Sequence, residues 1–378
     1  IGSKNNILAH YDLSNDFYKL WLDQTMTYSC GIFKDNNTTL EQASIEKLDR
    51  ICKKLQLSSD DHILEIGTGW GSFAIHAAKN YGCKITTTTI SDAQYNYTKN
   101  KIKEEKLDKK INLINKDYRL IKGTYDKIVS IEMIEAVGHE HLPSYFQAID
   151  RLLKGDGQAS IQAITMPLHK YKVYLGSTDF IRRYVFPGSC CPSLAAILSA
   201  VAENSKLRLV AQDDFAEDYA ITLAKWLENF CAKEEEIRDL GFDDRFLRFW
   251  KYYLSYCEAG FRERSIGLSQ LALPRRKTDR AKARHTPSRE LARRGVRGGS
   301  GISLAGGTVL GSFCRPLPPH ASRNFGSSRA GRHSHWHGWR HCRGRDGWTR
   351  LFGDLPRLAC PRVDGRSLAR LWHITSCL

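Results

Sequence analysis

No hydrophobic run in this chain of 378 residues approaches the ~20 residues that cross a bilayer, and no secretory signal segment is visible. The 11 cysteines have no regular spacing and indicate reduced thiols. Cys190 and Cys191 have no second pair at zinc spacing, so we expect no metal site. The sequence predicts a cytoplasmic protein whose 42% hydrophobic content can fill a core. Its start at Ile1, without a methionine, is compatible with a fragment.

Basic residues are distributed unevenly, although the net charge of the whole chain is +16. From Arg275 onward there are 20 Arg, 2 Lys and five acidic residues, whereas the first 274 residues contain 35 basic and 36 acidic side chains. We predict that residues 274–378 are an out-of-frame or disordered extension, because Arg, Gly and Ser without periodicity cannot bury enough surface to fold. The alternatives are RNA binding, or metal capture by a cluster of His333, His335, His337, His341 and Cys342.

Three glycines spaced two apart follow an apolar segment in HILEIGTGWGS, and a helical pattern begins directly behind them. This order predicts a strand, a tight turn and a helix N-terminus. Gly67, Gly69 and Gly71 allow a ligand to approach the backbone closely. The spacing differs from the GxGxxG of dinucleotide folds and favours a nucleoside-type cofactor, S-adenosylmethionine being the usual one. A turn that merely closes a βα unit is the alternative.

Apolar segments and helical patterns alternate after this turn, which predicts an α/β fold with a parallel, doubly wound sheet. We expect seven strands, at residues 62–66, 84–90, 111–115, 126–131, 159–165, 207–211 and 267–273. We expect later helices at 193–205, 218–239 and 244–264. A loop-rich segment at 166–192 suits a lid. The predicted parts are a helical cap (1–58), a cofactor-binding core (59–165), a helical lid with the C-terminal strand (166–273) and the basic tail (274–378).

Long sequence blocks then identify a family over nearly all of residues 9–273: HYDLSNDFYKLWLD, MTYSC, LEIGTGWGS, TISDAQ, SIEMIEAVGHE, YVFPGSCCPS and YYLSYCEAGFR. The chain resembles the cyclopropane fatty acid synthases, which transfer a methylene from S-adenosylmethionine to unsaturated acyl chains of phospholipids. EAVGHE and FPG are most similar to eukaryotic and plant-type members, in which a flavin-linked oxidoreductase region can precede this domain. The resemblance implies the Rossmann-like fold of class I S-adenosylmethionine methyltransferases.

The resemblance also implies a set of cofactor contacts, which are Tyr28, Ser29, Gly67, Thr68, Gly69, Gly71, Thr89, Ile90, Ser91, Gln94, Asp117, Tyr118 and Ile131. The strand ends of a doubly wound sheet line one crevice, where Asp117 can accept a bond from an adenine amino group. The second strand ends without the acidic residue that commonly binds ribose, so we expect Thr89, Ser91 and Gln94 to do so. Thr68 replaces a cysteine of similar size.

Members of this family place a bicarbonate ion beside the acyl double bond. Their matching residues are Cys30, Glu135, Gln162, Ile164 and Tyr253, and Cys257 matches a cysteine assigned to the active site. Methylation of an alkene leaves a carbocation, which needs dry surroundings, aromatic faces and a base. The resemblance implies that bicarbonate is this base and that Glu135 shares a proton with it. Gln162 stands where many members have histidine, and can donate to the ion but cannot titrate.

Each catalytic candidate also has a structural interpretation. Tyr253 and Cys257 lie four residues apart on one helix face, as in a buried aromatic stripe. Cys257 has no evident task as a thiolate, and Cys30 is equally compatible with a small core residue. Glu135 can instead form an ion pair or cap the next helix, although a carboxylate within MIEAVG is awkward to bury without a ligand.

The first functional hypothesis is therefore cyclopropane formation on membrane phospholipids, by a cytoplasmic enzyme that contacts the membrane peripherally. Since residues 1–274 are nearly neutral, membrane contact would rest on apolar side chains near Tyr184, Val185 and Phe186. A homodimer is compatible with the sequence, and nucleic acid is not an expected partner. The alternatives are a small-amine N-methyltransferase of the same clan, and an RNA-associated protein that uses the basic tail.

Overall fold

The computed structural model describes residues 13–276. Within this range one mixed sheet has seven strands: β1 (His62–Ile66), β2 (Lys84–Thr89), β3 (Ile111–Asn115), β4 (Tyr125–Ile131), β5 (Leu153–Thr165), β6 (Ala211–Asp214) and β7 (Gly267–Pro274). Their order is β3-β2-β1-β4-β5-β7-β6. The first five strands pair in parallel, and β7 runs antiparallel to β5 and β6. The strand order reverses between β1 and β4, where ligands bind in doubly wound sheets.

Ten helices accompany the sheet in the described range: α1 (Asn15–Lys19), α2 (Leu40–Lys54), α3 (Ser72–Asn80), α4 (Asp92–Glu104), α5 (Leu142–Leu152), α6 (Leu168–Gly176), α7 (Leu194–Asn204), α8 (Ala216–Ala232), α9 (Glu234–Asp239) and α10 (Asp244–Arg262). Side-chain caps explain several of their starts. Thr39 and Gln42 form a reciprocal capping box on α2, and Asp243 accepts a bond from the backbone N–H of Phe246 on α10. None of these helices is long and apolar enough to cross a membrane.

Alternate residues of the central strands point to opposite faces of the sheet and enter two separate cores. Leu64 and Ile128 belong to a cluster with α5 and α7, whereas Ile63 and Val129 belong to a cluster with α2 and α3. Both faces of these central strands are therefore covered by helices.

The predicted N-terminal helix is confirmed as α1, which Ser14 caps. Its Phe17 packs edge-on against Trp250 of α10 and Phe230 of α8, with ring centroids 5.1 and 6.2 Å apart. Trp21 adds a contact to Trp226 at 5.8 Å. The aromatic residues at helical spacing therefore join the N-terminal cap to the C-terminal helices, and the cap closes over the carboxyl ends of the strands.

The doubly wound fold is confirmed, and the structure corrects four local predictions. The predicted loop at 166–192 contains α6 and a wide helical turn at Ile181–Val185. The predicted helix at 218–239 is broken at Lys233, whose φ of −114° is not helical. The sixth strand lies at Ala211–Asp214 rather than 207–211, although Arg208 and Val210 donate backbone hydrogen bonds to Pro274 and Ala272 of β7. β5 begins at Leu153 rather than 159. The predictions for residues 277–378 lie outside the described residues.

Candidate active site

The glycine turn connects β1 to α3. Gly67, Gly69 and Gly71 have φ of 98°, 54° and 89°. Residues that carry a Cβ rarely adopt such positive φ values. The Gly67 N–H donates to the Thr88 carbonyl of β2 over 3.1 Å. Gly71 is the N-cap of α3, and a Cβ added to it would lie 2.7 Å from Thr98 Cγ2. Both the conformation and the close approach of α4 therefore require glycine at this turn.

A cavity of about 470 Å³ lies beside the turn, at the strand ends. It is lined by most of the cofactor contacts that we predicted: Tyr28, Ser29, Gly67, Thr68, Gly69, Thr89, Ile90, Gln94, Asp117, Tyr118 and Ile131. Two other predicted contacts, Gly71 and Ser91, do not line it. Gly71 packs against Thr98, and the Ser91 hydroxyl accepts a bond from the Gln94 N–H and caps α4.

Polar side chains at the cavity are already oriented by one another. The Thr89 hydroxyl donates to Gln94 Oε1 over 2.9 Å. Arg119 forms a bidentate ion pair with Asp117: its Nε donates to Oδ1 over 3.0 Å, and its Nη2 donates to Oδ2 over 2.6 Å. These bonds lower the pKa of Asp117, so its carboxylate is an ionised acceptor of fixed orientation.

A buried lysine and a buried glutamate at this cavity were not predicted. Lys47, only 1% exposed, donates to Ser29 Oγ over 2.8 Å, and burial lowers its pKa. Glu65 accepts a hydrogen bond from the Thr87 hydroxyl over 2.5 Å, and the Thr87 and Thr68 hydroxyls are 2.6 Å apart. Burial raises the pKa of Glu65 to about 8. The sequence does contain signals for both, since Lys47 lies on the apolar face of α2 and Glu65 directly precedes the glycine turn.

A second cavity, of about 620 Å³, adjoins the first. Both are lined by Tyr28, Glu132, Ala136, Val137 and His141. The second cavity extends under the lid, where Tyr174, Ile181, Phe186 and Cys191 line it. Its walls also include four of the catalytic candidates, namely Glu135, Ile164, Tyr253 and Cys257. A nucleoside-sized space therefore opens into a larger space where those candidates meet.

Glu135 follows β4 in a short helical turn and faces the second cavity. Its Oε1 accepts a bond from the Ile164 N–H over 2.5 Å. Within residues 13–276 its Oε2 has no hydrogen-bond partner, and no ion pair to this carboxylate is found. Burial, and then the charge of Glu132, raises the pKa of Glu135 to about 8. At neutral pH the folded protein therefore keeps this group largely protonated.

Tyr253 and Cys257 share a face of α10 and both line the second cavity. The Tyr253 and Tyr28 hydroxyls are 2.7 Å apart, at the junction with the first cavity. Burial raises the pKa of the Cys257 thiol, which disfavours a thiolate. Tyr253 thus lines the second cavity and meets Tyr28, which lines both, whereas Cys257 has the character of a packing residue.

Cys30 and Gln162, which were also predicted to contact a substrate-side ion, line neither cavity. The Cys30 thiol donates to the Gly31 carbonyl, and burial raises its pKa well above the ordinary value. The Cys30 backbone N–H and Gln162 Nε2 both donate to Glu132 Oε1, over 3.0 and 2.8 Å. The Tyr219 hydroxyl donates to Glu132 Oε2 over 2.6 Å. Glu132, which was not predicted, is therefore the centre of this cluster.

A glycine turn at the first strand of a mixed seven-stranded sheet, with β7 inserted antiparallel, defines a methyltransferase of the class I type. The family model described as mycolic acid cyclopropane synthetase matches residues 2–271. The chain therefore belongs to the mycolic acid cyclopropane synthetase family.

Individual relatives agree with this assignment. The chain is 39% identical over 280 residues to tuberculostearic acid methyltransferase of Mycobacterium tuberculosis, a match that covers 72% of this chain and 65% of that protein. It is 38% identical over 268 residues to the cyclopropane-fatty-acyl-phospholipid synthase of Escherichia coli K12, covering 70% and 66%. The chain thus spans about two thirds of the length of these curated relatives.

Solved structures show the same similarity. The cyclopropane synthase MmaA2 from Mycobacterium tuberculosis aligns with a TM-score of 0.68 and 28% identity, covering 72% of this chain and 98% of that chain. The mycolic acid cyclopropane synthase CmaA1 complexed with SAH and CTAB gives the same values. Coclaurine N-methyltransferase, at 20% identity and a TM-score of 0.60, shares the fold.

Proposed function

We propose that this protein transfers a one-carbon unit from S-adenosylmethionine to the cis double bond of an acyl chain and forms a cyclopropane. The observation that carries the proposal is the direct junction between the cavity at the glycine turn and the larger cavity under the lid. A related structure was solved with SAH and CTAB, and CTAB is a surfactant with one long alkyl chain. Paired spaces for a nucleoside and an alkyl chain support the same use here.

The first cavity fits S-adenosylmethionine. A Cβ added to Gly69 would meet no atom within 4 Å, so the bare backbone leaves room for a ligand. Thr89, Gln94 and Asp117 offer oriented polar groups, and the buried Glu65 also lines this cavity. When bound, the cofactor supplies a methyl group on a sulfonium sulfur. The chain's own contribution is to position this methyl at the junction and to exclude water.

The aromatic residues around the junction suit a reaction that passes through a carbocation. Tyr28 and Tyr253 meet there, Phe186 lies 6.2 Å from Tyr253 between ring centroids, and Tyr219 stacks on Phe261 at 4.4 Å. Aromatic faces attract positive charge and are weak nucleophiles, so they do not readily react with a cation. These walls therefore stabilise a cation while they keep water away from it.

Bicarbonate does not fit the residues that the family resemblance assigns to it. Two of the expected donors, the Cys30 N–H and the Gln162 amide, are bound to Glu132. The N–H of Ile164 is bound to Glu135, and the Tyr253 hydroxyl is engaged with that of Tyr28. An added anion would also lie beside the Glu132 carboxylate, which like-charge repulsion disfavours. No reaction step is therefore assigned to bicarbonate.

Peripheral membrane contact is supported by a different surface from the predicted one. Val185 is buried, and Phe186 lines the second cavity. Leu168 and Val173 of α6 are instead 67% and 74% exposed, next to the lid residues of that cavity. We propose that α6 touches the lipid surface and brings the acyl chain to the cavity. The homodimer stays a prediction.

The full chain should convert phospholipid vesicles that contain cis-monounsaturated acyl chains. With isotopically labelled cofactor, we expect the fatty acids to carry the label as cyclopropanes, each one CH₂ heavier than its alkene, when analysed by mass spectrometry. Vesicles of saturated phospholipid are the control and should remain unlabelled. Label found in small amines or RNA, with none in lipid, would contradict the proposal.

A further inference from the structure

We infer that Glu132 is the general base of this enzyme and takes the place that bicarbonate was expected to fill. The inference rests on the proposed function and names the residue that completes its reaction. The position of the Glu132 side chain is the first observation that supports it. Glu132 follows β4 directly and lines both cavities, at the junction where a transferred methyl group would meet an acyl chain.

The backbone of Glu132 has a strained conformation. Its φ is 49°, in the left-handed region where residues other than glycine are uncommon. Such strain costs on the order of 1 kcal/mol and persists only where the surroundings enforce it, often at functional sites. The Glu132 N–H donates to the Gln162 carbonyl over 2.8 Å, which helps to enforce this geometry. The strained turn directs the carboxylate to the junction.

Three donors from three separate elements fix that carboxylate. They are the Cys30 N–H from the N-terminal cap, Gln162 Nε2 from β5 and the Tyr219 hydroxyl from α8. A carboxylate has about four acceptor positions, so one position remains to receive a proton. Donors that point at both oxygens favour the ionised form, and the positive charge of Lys47 favours it further. Burial is the larger effect and raises the pKa of Glu132 overall, which keeps the group basic enough to remove a proton.

With Glu132 as the base, every electron pair and proton of the reaction is accounted for. The alkene π pair bonds to the methyl carbon while the carbon–sulfur bond breaks, and that bond's electron pair stays on sulfur. The acyl chain becomes a carbocation beside its new methyl group. The Glu132 carboxylate takes one proton from this methyl as an O–H bond, and the freed C–H electron pair closes the ring. Glu132 loses the proton to water after the product leaves.

Glu132→Gln tests the inference because it keeps the size of the side chain and removes its basicity. In the full chain we expect cyclopropane formation to fall by about 100-fold or more, the range for loss of a general base. SAH affinity, measured by calorimetry, should change by less than about twofold. Products that lose the proton elsewhere, as methyl-branched or methylenated alkenes, should increase. Glu105→Gln, on the far end of α4 and paired with Lys79, is the matched control and should behave as wild type.

Glu132→Gly provides a second variant that relieves the backbone strain and so should fold. It opens a space between the Cys30 N–H and Gln162, which bicarbonate or formate should fill and thereby restore part of the activity. The wild type should show no dependence on bicarbonate in carbonate-free buffer. Full activity of Glu132→Gln, or a bicarbonate requirement of the wild type, would overturn the inference. An inactive wild type that still binds SAH would instead refute the proposed lipid reaction.

Discussion

Gly71→Ala should lower the free energy of unfolding by about 3 kcal/mol. The substituted alanine has to adopt a φ of 89°, which costs on the order of 1–2 kcal/mol for a residue other than glycine. Its Cβ also lies 2.7 Å from Thr98 Cγ2, and overpacking of this kind adds roughly 1–3 kcal/mol. Because α3 begins at this residue, we also expect weaker cofactor binding. Urea unfolding and calorimetry with SAH measure the two effects.

Gly69→Ala is the matched control for that prediction. It has the same type of backbone strain, at a φ of 54°, but its Cβ would meet no protein atom within 4 Å. We expect a smaller loss of about 1 kcal/mol. Since Gly69 lines the cavity, SAH affinity should nevertheless fall by roughly tenfold, which corresponds to about 1.4 kcal/mol. If the two variants lose equal stability, the contact with Thr98 does not determine the need for Gly71.

Glu135→Gln should make the folded protein more stable at alkaline pH. The unfolded chain ionises this carboxyl near its ordinary pKa of 4.5, whereas the folded protein keeps it protonated up to about 8. The folded state therefore binds more protons in this window, and the free energy of unfolding falls as the pH rises through it. The neutral glutamine avoids that loss, worth on the order of 3–5 kcal/mol at pH 9. Urea unfolding from pH 5 to 9 measures the difference.

The two proteins should converge in stability below pH 4.5, where both the folded and the unfolded state keep the carboxyl protonated. The Glu135→Gln variant should still lose some stability as the pH rises, because the pKa of Glu65 is also raised to about 8. Glu105→Gln is the opposite control, since its bond to Lys79 lowers the pKa of Glu105. It should change stability by less than about 0.5 kcal/mol. A wild type whose stability rises between pH 5 and 8 relative to Glu135→Gln would refute the burial of this group.

Local patterns were sufficient to predict much of the candidate site. The glycine turn and the strand ends follow from residue spacing in short segments, because strands and helices place side chains at fixed periods. Glu135 and Tyr253 were implied by the resemblance to a family. The broken helix at Lys233 was missed because its sequence has good helical propensity on both sides, and tertiary packing outweighs such propensity.

The sequence by itself determined the doubly wound sheet, the glycine turn and the family to which the chain belongs. Only the tertiary structure decided which groups Glu132 binds. Its donors Cys30, Gln162 and Tyr219 lie 102, 30 and 87 positions away along the chain. No periodic pattern encodes such pairings, since they arise where the cap, β5 and α8 pack around one strand end. A hydrogen bond between distant segments depends on that packing, whereas a turn depends mainly on its own few residues.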